Sequence, residues 1–434
     1  MIASMLKAAN PIRHGAIISL LIFFLSTATN NAFAQVEQKD FSDVVAQWKK
    51  TPTDKKQNAE LQVGKTYYSI LPVVGYAPAN GFLAGGAVSL SRRFGPEPTN
   101  LSSGMLNFQF TTKKQFIVNA RSKVYLPGNR WFLQGDWRLL LFTQPTYGLG
   151  INNSEFNKTH VYINNLEETE DTLAEPMNFK LVRVYEEVTR KLGNSYVYAG
   201  IGIMIDQHFS IQDLRLDTVA GSPTYFVTNH YMYSDTNNFN PTHYGTNGLK
   251  FTLLTDTRDN ISNCYKGYYG SISLVTNLKL GKYSQPSTQL LYDARYYLGL
   301  SANTPRHVLA FWSYGTILLS GKVPYLALPS IGWDTYNRSG RGYIQGRFRG
   351  LNMVYNEVEY RFPISANGLF GGVLFANATT ASNYYYGLFN KTAFGAGAGL
   401  RIKLDKRSRT NLTVDIGKNT EKSVAIYFNL QEAF

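Results

Sequence analysis

The sequence predicts an all-β chain, a transmembrane antiparallel β-barrel of about sixteen strands with one loop folded into its lumen. Three observations carry this. From Tyr67 to the end, apolar and polar residues alternate over segments of about ten residues or more, with no helical periodicity between them. Aromatic residues are 14% of the chain, yet mean hydropathy is only −0.21, which excludes a bundle of membrane-spanning helices. The connections fall into a short set and a long set, the asymmetry of a barrel with short inner turns and long outer loops. A soluble sandwich would alternate too, but its strands usually run only ~5–6 residues.

The chain opens with an export signal. Lys7 and Arg13 precede an apolar run, Gly15 to Leu25, and Ala32-Phe33-Ala34 forms a small-x-small cleavage site. The run is short of the ~20 residues of a spanning helix. Residues 1–34 are therefore expected to be a signal peptide and 35–66 a short periplasmic segment, with the barrel over 67–434. Phe41, Val44, Val45 and Trp48 are spaced for an amphipathic helix within Asp40–Lys50, which Thr51-Pro52 ends. Some thirty residues cannot form a domain of ordinary size. The net charge of +14 falls to +12 once Lys7 and Arg13 leave. No basic helix or nucleic-acid module accompanies it, so nucleic acid is excluded and outer-membrane lipid is the expected partner.

Strands are expected near 67–76, 81–93, 102–112, 115–125, 130–142, 177–191, 195–212, 246–256, 267–280, 287–300, 307–320, 352–363, 367–378, 392–403, 410–417 and 424–434. In one, Phe394, Ala396, Ala398, Leu400 and Ile402 share a face, with Gly395, Gly397, Gly399, Arg401 and Lys403 opposite. The long connections are 143–176, 213–245 and 321–351. Closing the ring sets the first strand beside the last. Pro72 cannot donate to a ladder, and Gly75, Gly81, Gly85 and Gly86 loosen the first hairpin, so this seam is expected to be the weakest pairing. The chain ends with Val424, Ile426, Phe428 and Leu430 alternating before Phe434, a pattern that looks like the terminal assembly signal of outer-membrane barrels. Glu432 departs from it.

Catalytic motifs are missing. There is no Gly-x-Ser-x-Gly elbow, metal-ligand spacing or phosphate loop, so no enzyme activity, cofactor or metal is expected. His160, His230 and His243 fall in long loops, His208 near a strand end and His307 at a strand start, and all are expected to be solvated. The acidic run Glu167 to Asp171 reads as a solvated loop. Cys264 is the lone cysteine, unpaired near a turn.

The stretch from Arg341 to Pro363 is a glycine- and arginine-rich loop feeding a strand. Val354, Val358, Tyr360 and Phe362 share one face of that strand, and Tyr355, Glu357, Glu359 and Arg361 the other. An arginine in the lumen needs a carboxylate for its planar fork, and Glu357 and Glu359 supply candidates. Gly395, Gly397 and Gly399 leave room for the loop against the wall. In the alternative, Arg341, Arg347 and Arg349 meet lipid headgroups outside.

Arg341-Gly342-Tyr343, followed by Glu359-Tyr360-Arg361-Phe362-Pro363, resembles the loop and strand signature of the BamA/TamA family, the bacterial surface antigen family. Pro72 to Gly86, Tyr147 to Asn152, and Asp256 to Asn260 with Gly267 are similar to further family segments. The resemblance implies an outer-membrane barrel that assists insertion or translocation of proteins or lipids, with client barrel proteins or a periplasmic partner. It also implies that Arg341 tucks into the barrel toward acids on the next two strands. Glu359 matches the first acid, and Asn377 stands at the second. Family members usually carry POTRA domains, for which 35–66 is too short, so a barrel-only member is expected. A passive channel and a surface adhesion or structural barrel remain alternatives.

Overall fold

The computed structural model describes residues 38–48, 62–77, 81–151, 174–301, 306–383, 387–406 and 408–434. The expected signal peptide, most of 35–66, the acidic run at 167–171 and His160 lie outside them. Sixteen strands form one sheet in sequence order, every neighbouring pair antiparallel. They are β1 (Thr66–Ala77), β2 (Gly81–Arg92), β3 (Ser102–Thr111), β4 (Phe116–Tyr125), β5 (Trp131–Thr146), β6 (Glu175–Lys191), β7 (Val197–Asp213) and β8 (His243–Asp256), then β9 (Gly267–Asn277), β10 (Ser287–Gly299), β11 (Val308–Gly321), β12 (Met353–Pro363), β13 (Phe370–Ala381), β14 (Ala393–Asp405), β15 (Thr410–Asn419) and β16 (Val424–Leu430). Among the described residues two α-helices accompany them, α1 (Phe41–Trp48) and α2 (Asn229–Thr236).

The sheet is inside-out relative to a soluble protein. Ile70, Val74, Phe108, Ile201, Phe251, Leu374 and Ile416 are exposed on its outer face, while Asp136, Arg138, Asp206, Glu357, Arg361 and Asp415 are buried on its inner face. Apolar surface facing outward is stable only against lipid, and buried charges persist only when paired. Several of the inner charges are paired: Arg183 grips Asp206 through two bonds of 2.7 Å, and Lys250 meets Glu187 at 3.0 Å.

The expected closing ladder is not formed. Pairing runs from β1 to β16, and among the described residues no ladder joins β16 back to β1. The two edges nevertheless lie side by side, since a Cβ built on Gly75 would sit 3.4 Å from Phe428 Cβ. Pro72 lies inside β1, opposite Gly86 of β2, and presents no N–H. β16 has only seven residues to offer.

Connections at one rim are short. At the other, 147–174, 214–242 and 322–352 are long. β5 and β6 run further into the long-loop side than the alternation foretold, with Thr143 to Thr146 pairing Asn178 to Glu175. Apart from Met177, which is buried in the core, these residues are polar or proline, so no lipid-facing pattern marks them. There α2 packs with the loops over a core of Phe142, Phe179, Tyr233, Tyr244 and Tyr325. His230 and His208 are buried in this region, which corrects their expected solvation. The His230 ring bonds Asp213 at 2.8 Å and the Tyr244 hydroxyl at 2.9 Å. The long loops build a core of their own, so a polar residue within them can be an interior one.

α1 begins with reciprocal caps: the Asp40 N–H donates to Asp43 Oδ2 at 2.9 Å, and the Asp43 N–H to Asp40 Oδ1 at 3.1 Å. It lies against the turns at the short-turn rim, where the Lys406 ammonium donates to Asp43 Oδ2 at 3.0 Å.

Candidate functional site

The loop 322–352 crosses the lumen and bonds both walls. On one side Arg138 of β5 donates to the Thr335 carbonyl and to Asn337 Oδ1, each at 2.9 Å, and Trp333 Nε1 donates to Gln144 Oε1 at 3.1 Å. On the other side the loop tip, Arg341-Gly342-Tyr343, lies against β12 to β16.

The Arg341 guanidinium meets three carboxylates. Nη2 donates to Glu357 Oε1 at 2.5 Å and to Glu359 Oε1, and Nη1 donates to Asp415 Oδ2 at 2.9 Å. Its face stacks on Phe375, 3.8 Å from the ring centroid. Asn377 binds the backbone, its Nδ2 donating to the Arg341 carbonyl at 2.9 Å. An amide there fixes the loop without adding a fourth negative charge.

Gly342 adopts φ +109°, a conformation L side chains rarely take. A Cβ on it would lie 3.2 Å from the Lys418 carbonyl oxygen. Its N–H donates to the Tyr427 hydroxyl at 3.1 Å, and its carbonyl accepts from Asn419 Nδ2 at 2.8 Å. The Tyr343 hydroxyl donates to the Phe394 carbonyl at 2.7 Å, while Tyr427 donates to the Tyr343 carbonyl at 2.6 Å. Room for the loop comes from bare wall: a Cβ on Gly417 would be 2.8 Å from Gly342 N, and one on Gly395 2.9 Å from the Arg341 carbonyl oxygen.

The ion pairs continue to the chain end. Arg361 donates to Glu359 Oε2 at 2.7 Å and to the Phe434 main-chain oxygen at 3.0 Å. Arg401 joins Asp415 to Glu432, the latter at 2.8 Å. Asn411 Nδ2 also donates to Glu432, at 2.7 Å. The Phe434 ring packs 5.3 Å from Trp312. Arg338 donates to the Leu430 carbonyl at 2.5 Å and to Gln431 at 3.1 Å. The loop thus holds the end of β16, and Glu432 serves as a buried acceptor.

Asp415 and Glu432 are the members that sequence reasoning missed. Asp415 shares the inward face of β15 with Thr413 and Gly417, so the alternation could have placed it in the lumen. Arg347 pairs with Glu421 at 2.9 Å, and Arg349 donates to the Tyr325 carbonyl at 2.9 Å. Both are engaged inside the protein. The Gly150 N–H of the glycine-rich segment donates to the Arg349 carbonyl at 2.6 Å, tying it to the same loop. Pro72, Gly75 and Phe428 stand apart from the ion pairs, at the unpaired edges.

Comparison with known proteins agrees with this architecture. No curated protein matches the sequence. BamA from Haemophilus ducreyi lacking POTRA domains 1–3 is similar in structure, with a TM-score of 0.51 at 15% identity over 96% of this chain and 78% of that one. CdiB from Acinetobacter baumannii gives 0.50 at 13% identity over 84% of this chain, and CdiB from Escherichia coli gives 0.51 at 10% over 86%. The alignments span 59% and 63% of the two CdiB chains. At these identities the likeness shows the fold. The Omp85 superfamily domain matches residues 169–434, from the long loop after β5 to the last residue. The chain belongs to the Omp85 superfamily, outer-membrane barrels that insert or secrete polypeptides without covalent chemistry.

Proposed function

We propose that this barrel assists insertion or translocation of client polypeptides at the outer membrane by offering the edges of β1 and β16 to a client strand. The observation behind this reading is the absent ladder between two edges that lie side by side. No water in the bilayer core satisfies an unpaired backbone group there, and each such group costs several kcal/mol, roughly 2–7. An edge left open in a barrel wall therefore takes up any strand that supplies the missing partners, which is β-augmentation. The lumen loop has the complementary task. By binding β12 to β16 and the chain end, it keeps that side of the opening rigid, so that movement falls to β1, whose Tyr68, Ile70 and Val74 are largely exposed. A photocrosslinking residue at Val73 or Ile426 tests this in cells. Adducts with nascent barrel proteins are expected from both edges and not from Leu253, on the outer face of β8. Equal labelling from all three positions would contradict it.

A lumen pore is the second reading. It draws on a cavity of ≈ 330 Å³ beside the loop, lined by Arg121, Asp136, Lys250, Arg295 and Asp334. Single-channel recording separates the two: a pore conducts with its strand edges locked together, and strand addition does not survive that.

A further inference from the structure

α1 is docked the wrong way round for a helix that merely packs on a protein. Its barrel-facing side is acidic: Asp40 and Asp43 are 4% and 5% exposed, Lys406 N donates to Asp40 Oδ2 at 3.1 Å, and the Lys406 ammonium donates to Asp43 at 3.0 Å. The Lys39 N–H donates to the Asn367 carbonyl at 3.0 Å. Its apolar side faces away. Phe41, Val44 and Trp48, three and four residues apart and so on one face, are 51%, 37% and 84% exposed. An amphipathic helix that spends its polar face on the barrel leaves its apolar face for another medium.

We propose that α1 is an interfacial anchor whose apolar face lies in the lipid surface at the short-turn rim. Two further features select lipid as the occupant. The turn that Lys39 binds carries Ile364, and β13 begins with Phe370. Both are exposed, so the outer apolar belt of the barrel continues down to the helix. Trp and Phe on the apolar side with lysines beside it is the composition of helices that lie in the headgroup boundary. The sequence supplies Lys39 before α1 and Lys49-Lys50 after it.

The test uses the full chain in vesicles of phosphatidylethanolamine and phosphatidylglycerol. Single cysteines, Val44→Cys and Trp48→Cys, are introduced on a Cys264→Ser background and nitroxide-labelled. Collision with oxygen, which concentrates in lipid, is compared with collision with a water-soluble nickel chelate, with Leu374→Cys on β13 as the lipid-facing reference and Asn194→Cys, exposed in the turn after β6, as the water-facing one. Labels at 44 and 48 are expected to favour oxygen, as at 374, and the label at 194 to favour nickel. Labels at 44 and 48 that meet nickel as readily as 194 would overturn the proposal, because the face would then be in water. Protection from both reagents would overturn it too, since a second copy or another polypeptide would then cover the face.

Discussion

Arg341 is the residue on which the lumen loop depends. Three buried carboxylates converge on it, and no other donor in the loop replaces it. Arg341→Ala is expected to destabilise the barrel by ~3–5 kcal/mol, the cost of breaking a buried pair and leaving Glu357 without a cation, while Arg361 still pairs Glu359 and Arg401 still pairs Asp415. A lower unfolding temperature in heat-dependent gel mobility measures this. Asn377→Ala removes one hydrogen bond to a carbonyl and should cost about 1 kcal/mol. Arg341 with Glu357 and Glu359 could be named from the sequence because all three sit within one loop-and-strand segment. Asp415 and Glu432 could not, since their link to Arg341 needs the register of β14 to β16 and the fold-back of the chain end. Cys264 gives an independent check on the turn 257–266. Its single S–H is shared between Asp259 Oδ1 at 3.2 Å and the Lys266 carbonyl at 3.1 Å. Burial first, and the Asp259 carboxylate second, push its pKa up to about 12. At pH 8 it therefore stays a neutral thiol, and maleimide should label it only after unfolding. Rapid labelling of the folded barrel would show that the turn is open.

The loop 322–352 behaves as an element in its own right, held by glycines on the wall as much as by charge. A side chain at Gly417 would collide with the Gly342 backbone, so Gly417→Leu should expel the tip while the strands keep their register. Arg338, Arg341 and Arg347 would then become trypsin sites, and a cut within the loop is the expected readout. Resistance equal to the parent would mean that the loop does not rest on that glycine. Alternation found the strands wherever one face meets lipid and the other the lumen. It stopped short at the long-loop ends of β5 and β6, where Thr143 to Thr146 and Glu175 to Pro176 extend the strands beyond the apolar belt. The helix at 41–48 was legible from its spacing. Its orientation was not, because spacing shows that a face is apolar and leaves open what covers it.

At the scale of the whole sheet, strands pair in order from β1 to β16, no ladder joins the two ends among the described residues, and the lumen loop binds β12 to β16 on one side of them. The weak seam was suggested by Pro72 and the nearby glycines. That no ladder forms there at all was beyond the sequence, since it depends on how sixteen strands tilt and bring a seven-residue β16 to β1. The most direct test is to lock the edges. Gly75→Cys with Phe428→Cys, on a Cys264→Ser background, sets two cysteines at a built separation of 3.4 Å between Cβ atoms, close to the ~3.5–4.5 Å that a disulfide spans. Insertion of a client barrel into vesicles is then measured with the pair oxidised and reduced. Loss of insertion on oxidation and recovery on reduction is the predicted result. Insertion by the locked barrel at the reduced rate would contradict strand addition at the β1–β16 edge.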